Sequence, residues 1–257
     1  MQPEERQRRI EDYLQKVEFA SLDELSERVD ASTSTVRRDL QILESKGAVK
    51  RTHGGARLVN PRSDEFTFSA RDTHQLSEKE AIGKACAELV QVNQSVILDA
   101  GTTIYHVARY LEAKAPQIIT NSLPIANHYA LNNRVEVVVS GGVIYPRLEV
   151  LVGPLAVKAF SEIHADIAIM SSGGITPAGI SNSHGLLIEI QRAMIQAARK
   201  VIFCLDHTKL GRESLSSLCE LDVVDIVVTD SKASREHVAM MRGHGVQVIV
   251  AESDSEK

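Results

Sequence analysis

Apolar positions follow two different regimes along the chain, and the change between them falls near residue 77. In the first sixty residues, Ile10, Tyr13, Leu14 and Val17 recur at helical spacing. SLDE at 21–24 is a capping box, in which Ser21 and Glu24 satisfy orphan amides reciprocally, and it opens a short helix carrying Leu22, Leu25 and Val29. DASTS breaks the pattern. A third helix then carries Val36, Leu40 and Leu43, with Gly47 placed to end it. Two short strands, AVKRT and ARLV, flank the HGGA turn at 53–56, where Gly-Gly suits a tight hairpin with positive φ. Residues 60–76, NPRSDEFTFSARDTHQL, show little periodicity and are expected to be a linker.

From residue 77 the pattern predicts an α/β module. SEKE at 77–80 matches a second capping box, ahead of Ala81, Ile82, Ala85 and Leu89 on one face. SVILD is a continuous apolar run, as in a strand buried on both faces. QIIT, VEVVVS, DIAIMS, KVIFCLD, DIVVTD and VQVIVA follow as strands. Between them lie the helical stretches IYHVARYL, IANHYAL, LAVKAF, LIEIQRAMIQAARK and REHVAMMR. Such alternation predicts a largely parallel sheet with helices on both sides. The expected division is a module of three helices and a hairpin at 1–59, a linker at 60–76 and an α/β module at 77–257.

The 257 residues are 43% hydrophobic and 25% charged, ordinary for a soluble globular protein. No apolar run is long enough to span a membrane. The N-terminus, MQPEERQRRIEDYLQ, lacks the apolar core of a secretory signal, so a cytoplasmic location is expected. Cys86, Cys204 and Cys219 lie far apart with no CxxC, which suits small core residues in a reducing compartment. The nine histidines form no HExxH and no cluster with cysteine, so neither a metal nor another cofactor is expected. Net charge is −5, but residues 1–59 hold 11 Lys and Arg against 11 Asp and Glu. Their bases are clustered at Arg6, Arg8 and Arg9, at Arg37 and Arg38, and at Lys50, Arg51 and Arg57. A neutral module of this kind still presents a basic face.

STSTVRRDLQIL at 32–43 sharpens that point. An arginine pair early in a helix opposes the helix dipole, which favours acids there. A solvated helix face explains isolated arginines. Here the tri-helical spacing, the hydroxyl-rich start and the basic hairpin together predict a winged helix-turn-helix on double-stranded DNA. Ser32, Thr33, Ser34 and Thr35 then supply caps and phosphate hydrogen bonds, and Arg37 and Arg38 face the duplex. Asp39 is placed to hold a guanidinium. Lys50, Arg51 and His53 form the wing.

In the second module, polar glycine-bearing loops follow the strands. DAGTT at 99–103 places Asp99, Gly101, Thr102 and Thr103 between a strand and a helix N-terminus, a ready anion site. TNS at 120–122, SGG at 140–142 and SSGG at 171–174 repeat the arrangement. Ligands of open parallel sheets bind at the carboxyl ends of strands, so these loops point to one site. Asp206, His207, Thr208 and Lys209 follow a further strand, with Lys209 placed to neutralise an anion. Glu189 and Arg192 are expected on an exposed helix face.

SLDELSERVDASTSTVRRDLQILESKGAVKRTHGGARLV resembles the winged helix-turn-helix of the DeoR family of bacterial transcriptional regulators. FTFSARD, KEAIGKACAELV, ILDAGTT, TNSLPIA, SGGVIYPRLEVLVGP, RAMIQAARKVIFCLDHTKLG and DIVVTD, in that order, resemble the same family's C-terminal effector domain. The resemblance implies a fold similar to ribose-5-phosphate isomerase and glucosamine-6-phosphate deaminase, with a phosphorylated sugar as effector. It implies ligand-binding roles for Asp99, Gly101, Thr102, Thr103, Asn121, Ser122, Gly141, Gly142 and Lys209. Departures are Ala31 for a larger aliphatic residue, His207 and Thr208 where serines are commoner, and SSGG for an aliphatic-Gly pattern; the last two leave the effector's identity open. The expected function is a repressor of a carbohydrate-metabolism operon, working as a dimer or tetramer and not as an enzyme. The rival is a sugar-phosphate isomerase or deaminase with an accessory DNA head. That needs a carboxylate base, for which Asp99, Glu189 and Asp206 are the candidates, though no pair has compelling spacing.

Overall fold

The computed structural model describes residues 3–14, 20–45, 48–52, 54–58, 68–114 and 116–252, so Val17, Gly47, His53 and the first part of the expected linker lie outside the described residues. The chain divides into two compact units, Met1–Thr67 and Phe68–Lys257.

The first unit contains α1 (Pro3–Leu14), β1 (Ala20–Ser21), α2 (Leu22–Val29), α3 (Thr33–Ser45), β2 (Val49–Thr52) and β3 (Gly55–Leu58). Ile10, Leu14, Leu25, Val29, Val36, Leu40 and Leu43 meet in its core. The capping box at Ser21 forms as read, with Glu24 N–H donating to Ser21 Oγ and Ser21 N–H donating to the Glu24 carboxylate. α2 ends at Asp30 in the left-handed region (φ 47°), which turns the chain into α3. The strands pair antiparallel in the order β1-β3-β2. The glycine of the hairpin has a different cause from the one expected: a Cβ on Gly55 would lie 2.0 Å from the Ala20 carbonyl oxygen. Close strand approach, not positive φ, demands glycine there.

The second unit begins with α4 (Phe68–Thr73), inside the stretch expected to be a linker, and α5 (Leu76–Glu88). SEKE is not a capping box. α5 starts at Leu76 behind Gln75 with no side-chain cap, and Ser77 Oγ donates to Glu78 instead. The remaining helices are α6 (Thr102–Leu111), α7 (Leu123–Tyr129), α8 (Pro154–Ser161), α9 (Gly185–Ala197) and α10 (Arg235–Gly243). Seven strands form one parallel sheet: β4 (Ser95–Leu98), β5 (Gln117–Thr120), β6 (Glu136–Val139), β9 (Ala165–Met170), β12 (Ala198–Cys204), β14 (Ile226–Asp230) and β15 (Gln247–Ala251). ARK at 198–200 opens β12 rather than ending a helix. Five shorter strands form two accessory antiparallel sheets: β7 (Val143–Tyr145) with β8 (Val150–Val152), and β10 (Gly174–Thr176), β11 (Gly179–Asn182) and β13 (Ser216–Cys219).

The central strands are apolar on both faces because helices cover both, whereas the edge strand β6 exposes Val138 and Val139. Ile97, Ala168, Phe203 and Val227 pack toward α8, α9 and α10. Their alternating neighbours, among them Val96, Leu98, Ile169, Ile202 and Val228, pack toward α5, α6 and α7. Cys86 and Cys204 are fully buried in this second layer and Cys219 is half-buried, as small core residues. The spatial order is β15-β14-β12-β9-β4-β5-β6. The chain therefore builds outward from β4 to β6, then returns to the other side of β4 at β9. The strand order reverses between β4 and β9, where open α/β sheets leave a crevice at the carboxyl ends.

Candidate functional site

In the first unit the start of α3 is polar and exposed. Ser32 Oγ lies 2.9 Å from the hydroxyls of both Ser34 and Thr35. Thr33, Arg37 and Arg38 are exposed, and their side chains make no ion pair or hydrogen bond among the described residues. Asp39, next to them, is buried and faces the other way. It accepts from Arg6 and Gln7 of α1, with Arg6 Nη2 at 3.2 Å and Gln7 Nε2 at 3.2 Å. The guanidinium it holds is thus that of Arg6, which locks α1 to α3. Arg51 is tied by its Nε to Glu44 of α3 at 2.6 Å. Lys50 lies in β2.

In the second unit, four of the expected loops follow four neighbouring strands, in the order β9-β4-β5-β6, so Ser171, Asp99, Asn121 and Ser140 line one end of the sheet. Asp99 sits at the reversal point and is 1% exposed. Its Oδ1 accepts from Ala100 N–H at 2.7 Å, and its Oδ2 from Gln191 Nε2 at 2.7 Å and Ser171 N–H at 3.4 Å. Burial pushes this carboxyl from its ordinary 3.8 up to about 6, against the opposing pull of these donors and of the nearby Arg71 charge. Gln191 in turn accepts from Asn182 Nδ2 at 3.0 Å, extending a buried polar chain into the accessory sheet. Gly101 adopts φ 148° where the chain turns into α6. Thr102 and Thr103 open that helix. Their hydroxyls make no hydrogen bond among the described residues, yet are not sealed from solvent. Asp99, Thr102 and Thr103 thus gather an acceptor and two uncommitted hydroxyls at one helix N-terminus.

The other expected residues have structural work. Asn121 is fully buried and donates to Leu151 O at 3.1 Å. Ser122 caps α7 by accepting from Ile125 N–H. Gly142 lets the chain pass β8, since a Cβ there would lie 2.6 Å from Val152 O, whereas Gly141 is exposed with φ 70°. Lys209 is half-buried in a short 3-10 turn whose backbone returns to Asp206. His207 is held by Asp230 through its ring at 3.0 Å and its N–H at 2.7 Å. Glu189 is exposed; so is Arg192, which donates to the Ser217 and Leu218 carbonyls.

Sequence reasoning passed over three residues here. Gln191 lies on the same α9 face as Leu187, Ile188 and Met194, and a polar residue inside that apolar stripe was the available signal. Arg71 on α4 and Lys79 on α5 bring two further cations; the charge of Arg71 is felt at Asp99, and the charges of Asp206 and Asp72 are felt at Lys79. Among the described residues no His, Cys, Asp and Glu cluster is arranged for a metal, and no helix is long and apolar enough to cross a membrane.

Residues 6–62 match the DeoR-like helix-turn-helix domain, and residues 74–231 match the DeoR C terminal sensor domain. The chain is 34% identical to the HTH-type transcriptional regulator GolR of Listeria innocua, over 98% of this chain and 100% of that one. It is 32% identical to the HTH-type transcriptional repressor GlcR of Bacillus subtilis over the full length of both. A solved ribose 5-phosphate isomerase A from Methanocaldococcus jannaschii is 16% identical, with a TM-score of 0.37 over 51% of this chain and 52% of that one, too slight a likeness to argue from.

Proposed function

We propose that this chain, which belongs to the DeoR family of transcriptional regulators, represses a carbohydrate operon and lets go of its operator when a phosphorylated sugar binds the second unit. The DNA-reading residues in this proposal are Ser32, Thr33, Thr35, Arg37 and Arg38, with Lys50, Arg51 and His53 on the wing. The observation that carries it is the exposure of Arg37 and Arg38 without an ion partner at the start of α3. Two hydrated cations set against the helix dipole make sense with phosphate or guanine as partner. Repression is supported by the names of relatives such as GlcR. Phosphosugar sensing is supported by Asp99, Gly101, Thr102 and Thr103 at the reversal point of the sheet. Nothing in this cluster supplies a second carboxylate beside Asp99, so regulation is preferred over isomerisation.

Self-association belongs to the same proposal. Edge strand β6 and the adjoining β7 expose Val138, Val139, Val143 (68%) and Ile144 (54%), an apolar edge that a second copy would cover. The effector then acts by favouring a state whose paired heads no longer match two half-sites. A swing from 1:99 to 99:1 requires about 5.5 kcal/mol of differential affinity.

Fluorescence anisotropy on the DNA upstream of the protein's own gene, with a panel of sugar phosphates titrated into the complex, tests the whole. Arg37→Ala and Arg38→Ala are expected to weaken binding and to flatten the salt slope by about 0.9 for each phosphate that is no longer neutralised. Unchanged affinity in both variants refutes the assignment of α3, and a monomer in sedimentation of the complex refutes self-association.

A further inference from the structure

α3 carries more on its outer face than the two arginines near its start. Val36, Asp39, Leu40 and Leu43 are buried against the rest of the first unit. Ser34, Arg37, Arg38, Gln41, Ile42 and Ser45 are exposed. At about 100° per residue the exposed set falls on one side of the helix, opposite the buried set. Gln41 and Ile42 stand four residues beyond Arg37 and Arg38, so they extend the same face by one turn, about 6 Å along the axis. The Gln41 side chain makes no hydrogen bond among the described residues. Ile42 is 42% exposed, the one large apolar side chain left exposed in the first unit among the described residues. A lone exposed isoleucine is ordinary on a protein surface. This one is singled out by its place, between Arg38 and Ser45 on the face that bears the unpaired cations. Ser45 Oγ donates to the Ile42 carbonyl at 2.7 Å, so its hydroxyl is committed to the backbone. What the third turn of α3 offers outward is one amide and one branched aliphatic group.

Those two groups match particular base edges. In the major groove adenine shows an acceptor at N7 beside a donor at N6, and a glutamine amide pairs with both at once. Thymine shows a C5-methyl, the apolar group of that groove, and an aliphatic side chain packs on it. Guanine shows two acceptors, which suit arginine instead. The outer face of α3 thus changes from guanidinium to amide and aliphatic within one turn, and that turn spans nearly two base-pair steps of about 3.4 Å. A face that met only phosphate would gain nothing from isoleucine beside Arg38, because phosphate offers it no apolar partner.

We infer that Gln41 and Ile42 are sequence-selecting residues, with Gln41 on the N6 and N7 edge of an adenine and Ile42 on the C5-methyl of a thymine, about two base pairs beyond those met by Arg37 and Arg38. This rests on the proposed DNA-reading role of α3 and adds which bases its third turn selects. The test uses the full chain and the stretch that it protects in the DNA upstream of its own gene. Each thymine there is replaced in turn by deoxyuridine, which lacks only the methyl, and each adenine by 7-deazaadenine, which lacks the N7 acceptor. In fluorescence anisotropy, one of the thymine replacements is expected to weaken binding of the natural chain roughly fourfold, the effect of one methyl group no longer buried. Ile42→Ala is expected to bind unmodified DNA about that much more weakly and to be indifferent to the same replacement. Gln41→Ala is expected to lose roughly fivefold or more on unmodified DNA and to stop distinguishing adenine from 7-deazaadenine at one position. A role in packing alone would weaken binding and leave those base sensitivities in place. Each residue stands or falls by its own base. Full sensitivity retained in the variant overturns its assignment, and so does a natural chain that ignores every replacement of that kind. In both cases weakened binding by Arg37→Ala and Arg38→Ala leaves α3 as the DNA-facing helix. Unchanged affinity in the arginine variants overturns that reading and the inference together.

Discussion

Replacing Asp99 by Asn separates the charge of the reversal-point carboxylate from its shape. The carboxyl titrates at about 6 in the folded protein against an ordinary 3.8, chiefly through burial. A gap of that size corresponds to about 3 kcal/mol. The sign follows from proton binding. Between those two values the folded state holds a proton that the unfolded state has released, so stability falls as pH rises through the window. Below pH 3.8 the contribution is fully present, and above 6 it is gone. Asn cannot titrate, so its stability relative to the natural chain is expected to rise by about 3 kcal/mol between about pH 4 and pH 7.

The absolute level is set by hydrogen bonds. Asp99 accepts on both oxygens, from Ala100 N–H and from Gln191 Nε2, each at 2.7 Å. An amide puts a donor against one of them, a cost of about 1–3 kcal/mol. The variant is therefore expected to be less stable near the acid end of that window and close to the natural chain at neutral pH. Urea unfolding at several pH values measures this. Near-ultraviolet circular dichroism of tyrosine suits it, since the chain has no tryptophan and four of its five tyrosines, at 105, 110, 129 and 145, lie in the second unit. Parallel stability curves for the two proteins would refute the argument, for they would mean that Asp99 is not desolvated in the fold.

Two changes probe the first unit. Asp39→Ala removes the partner of a largely buried Arg6 and is expected to destabilise the unit by roughly 3 kcal/mol in urea unfolding; an Asp39→Ala protein of natural stability would show the pair to be ornamental. Gly55→Ala drives a Cβ to 2.0 Å from Ala20 O, a backbone atom that cannot swing aside. It is expected to cost at least about 1–3 kcal/mol and to lower DNA affinity by opening the wing; unaltered stability would show that β1 and β3 separate freely.

The large pattern was legible because burial enforces it. The central parallel strands coincide with continuous apolar runs, since a strand covered by helices on both faces has no polar side to display; the edge strand β6 has the same kind of run although Val138 and Val139 are exposed. The accessory strands escaped because Gly179–Asn182 and Ser216–Cys219 are short, rich in glycine and serine, and buried through packing on neighbours rather than through alternation. The junction at Ala197 and Ala198 escaped because AARK favours a helix locally, while pairing of β12 with β9 overrides that preference. Within the site, residues adjacent to a strand end were found by position. Gln191 and Arg71 were not, because they reach Asp99 from 92 and 28 residues away through the fold. Asp39 shows the same limit: its neighbours in sequence are Arg37 and Arg38, but its partner is Arg6 on another helix.

The two units use arginine in opposite ways, and the contrast bears on regulation. Arg37 and Arg38 stay hydrated, so leaving them unpaired costs little. Arg71 is half-buried with its Nε sealed from solvent, so its charge is less screened than theirs. Occupied at about a hundred times its dissociation constant, a ligand bound only to the folded state adds about 2.7 kcal/mol. On the proposed reading, an effector at Asp99, Thr102 and Thr103 loads the start of α6, to which α4 is pinned by Phe68 on Tyr105 and Asp72 on His106, and tightening of that pair of helices is the local event expected to follow occupancy.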